Sequence, residues 1–196
     1  MKYREIQKDL KKKMKPSRYQ HTMGVVSTAK HLAQIHGADI SQAALAALLH
    51  DCAKHIEDDK KIAICREYGV SITDAEMANP SLLHAKCGAI LAEYNYGIMD
   101  MDILHAIKVH TTGGLDMDLL DKIIFISDYI EPNRDKAPHL KELRELADRD
   151  LDKTTYCILK DTVDYLNQRS EQMMDPITKE VYLYYAKFYE KENDIS

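Results

Sequence analysis

Apolar positions recur along this chain at helical spacing almost from end to end. Residues 3–14 form an amphipathic, lysine-rich segment that stops ahead of Pro16. Ser17 is expected to cap a helix running to about His36, where Gly37 ends it. The apolar face of that helix is Val25, Ala29 and Leu32, and His21 lies one turn ahead of Val25 on the same face. Ser41 is expected to cap the next helix, which ends around His50-Asp51, and Glu57 to Tyr68 makes another, closed by Gly69. A loop-rich stretch reaches to Pro80. Ser81 then opens a helix through Leu82, Leu83 and His84 that ends near Tyr96-Gly97. Asp100 caps Met101 to His110, halted by Thr111-Thr112-Gly113-Gly114. Residues 116–131 are the most apolar helix, ending at Glu131-Pro132 as the residue before a proline should. Further helices are expected at about 139–148, at 150–169, and from about Pro176 to Glu192. Alternating Val/Ile/Thr runs are few and Asn-Gly hairpins are absent. The pattern predicts an all-α fold of seven to ten helices in one domain, residues 1–196.

Two acids break the apolar pattern. Ala43-Ala44-Leu45-Ala46-Ala47-Leu48-Leu49 is apolar on all sides, as a buried helix is, and it delivers His50 and Asp51 into or beside the core. Asp128 sits inside Ile123-Ile124-Phe125-Ile126-Ser127-Asp128-Tyr129-Ile130. A buried carboxylate is costly unless it is paired or coordinates a metal. Neither run contains a Lys or Arg, though Lys54 and Lys122 flank them. Histidines are available instead: His21, His50, His84 and His110 each lie on or at the end of an apolar helix. Imidazole with carboxylate is a ligand set for Zn, Fe or Mn, and the lack of thiolate argues against a structural cysteine-type zinc site. Helical proteins build metal sites this way, from side chains projecting inward off several helices. Taken singly, each group has a plainer role. A histidine on an apolar face is usually a satisfied core residue, His50-Asp51 could be a helix cap, and Arg134 or a helix terminus could answer Asp128. The metal reading rests on six such groups falling together on inward faces. His31, His36, His55, His105 and His139 have polar neighbours and read as surface or packing residues. Tyr182, Tyr184, Tyr185 and Tyr189 read as core and interface packing.

Composition narrows the function. With 45% hydrophobic residues the chain can bury a core of ordinary size. A net charge of −5 supplies no global basic field for nucleic acid. Cys52, Cys65, Cys87 and Cys157 are widely spaced and form no CxxC, so they read as reduced thiols of a cytosolic protein. The N-terminus starts no apolar signal core, and no run of 18 or more apolar residues exists. A cytoplasmic protein without a membrane partner is expected, with a homodimer through an exposed apolar helix face as a possibility to test.

Five ordered motifs carry a resemblance. They are Ser17-Arg18-Tyr19-Gln20-His21-Thr22-Met23-Gly24-Val25, His50-Asp51-Cys52-Ala53-Lys54, His84-Ala85-Lys86-Cys87-Gly88-Ala89, His110-Thr111-Thr112-Gly113, and Ile126 to Arg134. The order of His21, His50-Asp51 and Asp128 resembles the HD-domain metal-dependent phosphohydrolases. The full set is similar to their YqeK-type bacterial branch, the symmetrical bis(5′-nucleosyl)-tetraphosphatases. The resemblance implies an HD-domain helical bundle with a motif core over residues 17–134 and C-terminal helices over 138–193. It implies an enzyme that cleaves diadenosine tetraphosphate into two ADP. It implies a divalent metal, iron first with manganese or zinc as alternatives, held by His21, His50, Asp51 and Asp128. One ion is implied, with His84 and His110 left between phosphate binding and a second ion. Substrate contacts carried over by position are Arg18, His21, Lys54, His84, His110, Ser127 and Arg134, with Arg169 and Gln172 in a segment over the nucleotide. That last segment, through Met173-Met174-Asp175-Pro176, matches the family only loosely.

The residues support a mechanism on their own terms. A polyphosphate demands charge neutralisation and an activated water. Asp51 could orient or deprotonate that water. Lys54, one turn beyond His50 and Asp51, can meet phosphate as a point charge, and Arg18 and Arg134 as planar forks. His84 and His110 are candidates to protonate the departing oxygen. A competing reading keeps the metal and changes the substrate to a nucleoside monophosphate or guanosine tetraphosphate.

Overall fold

The structure, a computed structural model, describes residues 1–168 and 174–190. In chain order these form α1 (Tyr3–Lys13), α2 (Pro16–His36), α3 (Ile40–Leu49), α4 (Asp58–Glu67), α5 (Asp74–Ala78), α6 (His84–Tyr94), α7 (Met101–Val109), α8 (Leu119–Ile130), α9 (Leu140–Ala147), α10 (Leu151–Asn167) and α11 (Pro176–Tyr189). A 3-10 turn, Pro80–Leu83, leads into α6, and no strand occurs among the described residues. The fold is all-α. It holds one helix more than the pattern predicted, because α5 lies in the stretch read as loop. There Thr73 and Glu76 form a reciprocal capping box, which stabilises a single turn that periodicity cannot register.

Two caps also differ from expectation. Pro16 occupies the first turn of α2 with its φ preset, so Lys15 rather than Ser17 is the N-cap. At α3 the cap is Asp39, which accepts from the Ser41 and Gln42 amides at 2.6 and 3.0 Å. A carboxylate is favoured there over the Ser41 hydroxyl because it also meets the positive end of the helix.

The core lies where α2, α3, α7 and α8 pack together, with α10 against the outer side of α8 and α11 on α10. Ala43, Ala46 and Ala47 of α3 are fully buried, and their small side chains let neighbouring helices approach closely. Ile123, Ile124 and Ile126 of α8 are fully buried too, each adding about 1.5–3 kcal/mol of apolar burial. One apolar cluster runs from Ile6 on α1 to Ala186 on α11. None of the described helices is long and apolar enough to cross a membrane. This packing brings the ends of α3, α7 and α8, the start of α6 and the second turn of α2 to one place. Those positions hold His50-Asp51, His110, Asp128, His84 and His21.

Candidate metal centre

Each imidazole is oriented from behind. His50 Nδ1 donates to the Ala47 carbonyl at 2.6 Å, His84 Nδ1 to Ser81 at 2.7 Å and His110 Nδ1 to Ile107 at 2.7 Å. A carbonyl can only accept, so in all three rings Nδ1 carries a proton, and in the neutral ring Nε2 is the free lone pair. His21 Nδ1 lies 3.2 Å from Glu131 Oε1, a carboxylate that fixes the same tautomer and the ring's orientation.

The Nε2 atoms and two carboxylates then converge. His21 Nε2 is 3.0 Å from Asp128 Oδ1 and 3.8 Å from Asp51 Oδ2, while His50 Nε2 is 3.5 Å from Asp51 Oδ2 and 3.8 Å from Asp128 Oδ1. Buried as they are, His21 Nε2 and His50 Nε2 make no hydrogen bond. The short His21–Asp128 approach lacks hydrogen-bond geometry. With the ring neutral it sets a lone pair against a carboxylate, an arrangement that a cation between them relieves. Metal–ligand bonds of about 2.0–2.2 Å place adjacent donor atoms about 3.0–3.5 Å apart, so the set fits a divalent ion. Asp51 presents its other oxygen to a second group. Oδ1 is 3.3 Å from His84 Nε2 and 3.9 Å from His110 Nε2, and those two nitrogens are 3.2 Å apart. The Thr111 hydroxyl lies 3.2 and 3.1 Å from them and can donate to only one. His21/His50/Asp51 and Asp51/His84/His110 are thus two groups that could hold a metal ion, sharing one carboxylate.

Residues 18–133, which contain both groups, match the HD domain family. The chain belongs to that family. It is 43% identical over 154 residues to the symmetrical bis(5′-nucleosyl)-tetraphosphatase of Halalkalibacterium halodurans, covering 79% of this chain and 81% of that one. It is 38% identical over 178 residues to the protein of the same name from Bacillus subtilis, covering 90% and 91%. Among solved structures it superposes with a TM-score of 0.91 on an HD superfamily hydrolase of Clostridium acetobutylicum described as involved in NAD metabolism. The two are 38% identical, over 95% of this chain and 98% of that one.

The electrostatics of the HD centre follow from its burial. Burial alone would raise the Asp51 carboxyl, yet His50, His84 and His110 hold it well below the usual carboxylate range. Asp128 is likewise held down, by His21, His50 and His110 against the effect of burial. For His50 the two carboxylates outweigh burial and raise its pKa. His84 is pushed down to about 3 by burial and by His110, and His110 to about 4 by burial and by His50. Both are therefore neutral at pH 7. This has a thermodynamic sign. As pH falls below about 6.5, unfolded imidazoles take up protons that His84 and His110 refuse in the fold. The metal-free protein should lose stability between about pH 6.5 and 4, by up to about 1.4 kcal/mol per pH unit for each imidazole. Melting of chelator-treated protein from pH 7 to 5 measures this; a midpoint that holds or rises on acidification contradicts it.

Three cations rim the HD centre. Arg18 Nη1 is 2.8 Å from Asp51 Oδ2, and Arg134 Nη2 is 3.3 Å from Asp128 Oδ1. Lys54 Nζ lies 3.2 Å from His84 Nδ1 and 3.3 Å from its Nε2, and burial lowers its pKa. Arg18, His21, Glu131 and Arg134 line a cleft of about 260 Å³ with Ser17. Ser127, next to Asp128 on α8, is fully buried, and its hydroxyl makes no hydrogen bond. Arg169 and Gln172 lie outside the described residues. His31, His36, His105 and His139 pair with Asp148, the Ala147 carbonyl, Asp121 and Asp161, away from the centre.

Two contributors escaped the sequence reading. Glu131, only 2% exposed, grips His21 with one oxygen and takes the Asn133 amide with the other at 2.7 Å. Its signal was an acid beside a proline at the end of the most apolar helix, where it read as a helix stop. Gly24, one turn after His21, makes that grip possible. A methyl there would collide with Glu131 Oε2 and lie 2.8 Å from Asn133 Nδ2. A helical glycine costs about 1 kcal/mol against alanine, and here it yields the close approach.

Proposed function

We propose that this protein hydrolyses dinucleoside tetraphosphates symmetrically, taking diadenosine tetraphosphate and water to two ADP. The observation that carries the reading is Asp51, one carboxylate shared by two imidazole groups and rimmed by Arg18, Lys54 and Arg134. Such a site neutralises a polyanion and holds a water beside it. The names of the relatives, at 38–43% identity over most of the chain, support the substrate and the symmetrical cut.

His21, His50, Asp51 and Asp128 would hold the metal, iron in our reading with manganese or zinc sharing the ligand type. Asp51, His84 and His110 would hold a second ion if one binds. A divalent ion there supplies Lewis acidity and brings a water's pKa toward about 7. The remaining work falls to the chain. Asp51, whose carboxyl stays ionised, accepts a hydrogen bond from the water and orients it. Arg18 and Arg134, each about a third exposed, exchange their carboxylate contacts for phosphate oxygens as the substrate enters. Lys54 adds a point charge beside His84. The scissile P–O–P bond breaks with a nucleoside diphosphate leaving as its phosphate anion, which asks little of a general acid. The neutral state of His84 and His110 favours accepting a cation or a hydrogen bond over the proton-donor role. Beyond Arg134 a cavity of about 650 Å³, walled by Tyr129, Pro138, Thr162 and Tyr165, has room for a nucleoside. The same reading treats residues 1–196 as one cytoplasmic domain.

Protein purified anaerobically, analysed for metal and given diadenosine tetraphosphate is expected to release ADP as the sole nucleotide product. AMP with ATP would overturn the symmetrical cut. Turnover of guanosine tetraphosphate or nucleoside monophosphates in its place would establish the competing substrate reading.

A further inference from the structure

We propose that Arg144, on α9 and outside the metal cleft, is a positioning residue that holds the segment from Ile130 to Arg134 in the shape the centre needs. The proposal rests on the function above only for its kinetic test.

α8 must stop at Ile130, because Pro132 cannot continue it, and its last carbonyls are left without helical partners. Arg144 takes them. Its Nε donates to the Ile130 carbonyl at 2.8 Å, and its Nη2 to the Glu131 carbonyl at 2.9 Å and the Arg134 carbonyl at 3.0 Å. One planar guanidinium therefore ties both ends of a five-residue turn. Three side chains of that turn, those of Glu131, Asn133 and Arg134, serve the site. Glu131 holds His21 from behind, with Asn133 donating to it through Nδ2 at 2.8 Å. Arg134 reaches back to Asp128, bonding its carbonyl through Nε at 3.1 Å and its carboxylate through Nη2. A shift of the turn would thus move a metal-ligating imidazole and a phosphate-binding guanidinium together. The positive charge also offsets the negative end of α8, where Asp128 occupies the last turn. A lysine could supply that charge but cannot reproduce three bonds in one plane.

The test uses Arg144→Met, Arg144→Lys and Arg144→Ala in the full chain. Three quantities are read: Mn²⁺ affinity by competition with a chelator, the split between KM and kcat, and the His21 Nδ1–H signal of the metal-free protein by NMR. Changes in the groups that orient ligands cost about 10–100-fold in metal affinity or activity, and one step further out about 10-fold is expected for Arg144→Met. KM should rise several-fold through Arg134, and the His21 signal should shift or broaden. Arg144→Lys should lie between. Added guanidinium should restore Arg144→Ala, because a cleft of about 290 Å³ beside Thr28, Leu32, Ile130 and Pro132 opens onto the vacated site. Wild-type Mn²⁺ affinity and KM in Arg144→Met would overturn the proposal, as would a lowered melting point with both unchanged. Should Arg144→Met not fold, wild-type values in Arg144→Lys together with no guanidinium rescue of Arg144→Ala would overturn it. The metal and NMR readings stand whether or not diadenosine tetraphosphate is the substrate.

Discussion

Asp51→Asn is expected to lower turnover by at least about 10³-fold, with metal content falling in parallel, while the fold survives. Loss of a single preorganised electrostatic contact at a reacting centre costs about 10²–10³ in kcat, and Asp51 serves several groups at once. Its two oxygens face His21 and His50 on one side and His84 and His110 on the other, so the amide removes the shared anion from both groups. The shape is kept, and the new NH2 can donate to an imidazole lone pair. Arg18, which loses its partner, is 39% exposed and can be solvated. Stability of the metal-free protein should therefore change by only about 1–2 kcal/mol, well short of the 3–5 kcal/mol for stranding a buried charge. Metal analysis, steady-state kinetics and melting of the variant check the three parts. Full metal content with turnover within tenfold of the parent would remove Asp51 from the centre.

What the sequence disclosed and what it hid divide along physical lines. The acids Asp51 and Asp128 stood out because each interrupts an apolar run, and local sequence alone makes that conflict visible. The same holds for α3, whose run Ala43 to Leu49 has no polar face. Hidden were the contacts that depend on which helix end arrives beside which. Arg18 was expected to face phosphate, and it meets Asp51, 33 residues away. Glu131 answers His21 across 110 residues, and Arg144 answers the end of α8 from a helix of which the sequence showed only the approximate bounds. Such pairings need the tertiary packing of α2 on α8 and α8 on α9, which no window of the chain encodes. The caps at Lys15 and Asp39 were missed for a smaller reason. Several polar residues stood within two positions of each helix start, and propensity does not choose between them.

Chelation should both silence the enzyme and soften the fold, reversibly. Without a cation, the Nε2 atoms of His21 and His50 and two carboxylates face one another within 3.0–3.8 Å, and neither nitrogen makes a hydrogen bond. A ligand that binds only the native state at 1,000 times its dissociation constant adds about 4.1 kcal/mol. For a chain of this length each kcal/mol moves the melting midpoint by about 2–4 °C, so removal of the metal should lower it by about 8–16 °C. Readdition of Mn²⁺ should restore both turnover and midpoint. Asp128→Ala supplies the control. With a ligand gone, its midpoint should no longer respond to chelator or to Mn²⁺, and its turnover should be lost in both conditions. His84→Ala separates the two groups: it should keep the metal response of His21, His50, Asp51 and Asp128 while losing any second equivalent of metal. An Asp128→Ala midpoint that moves with metal as the parent's does would place the cation elsewhere. The unpartnered nitrogens of His21 and His50 would then need a different explanation.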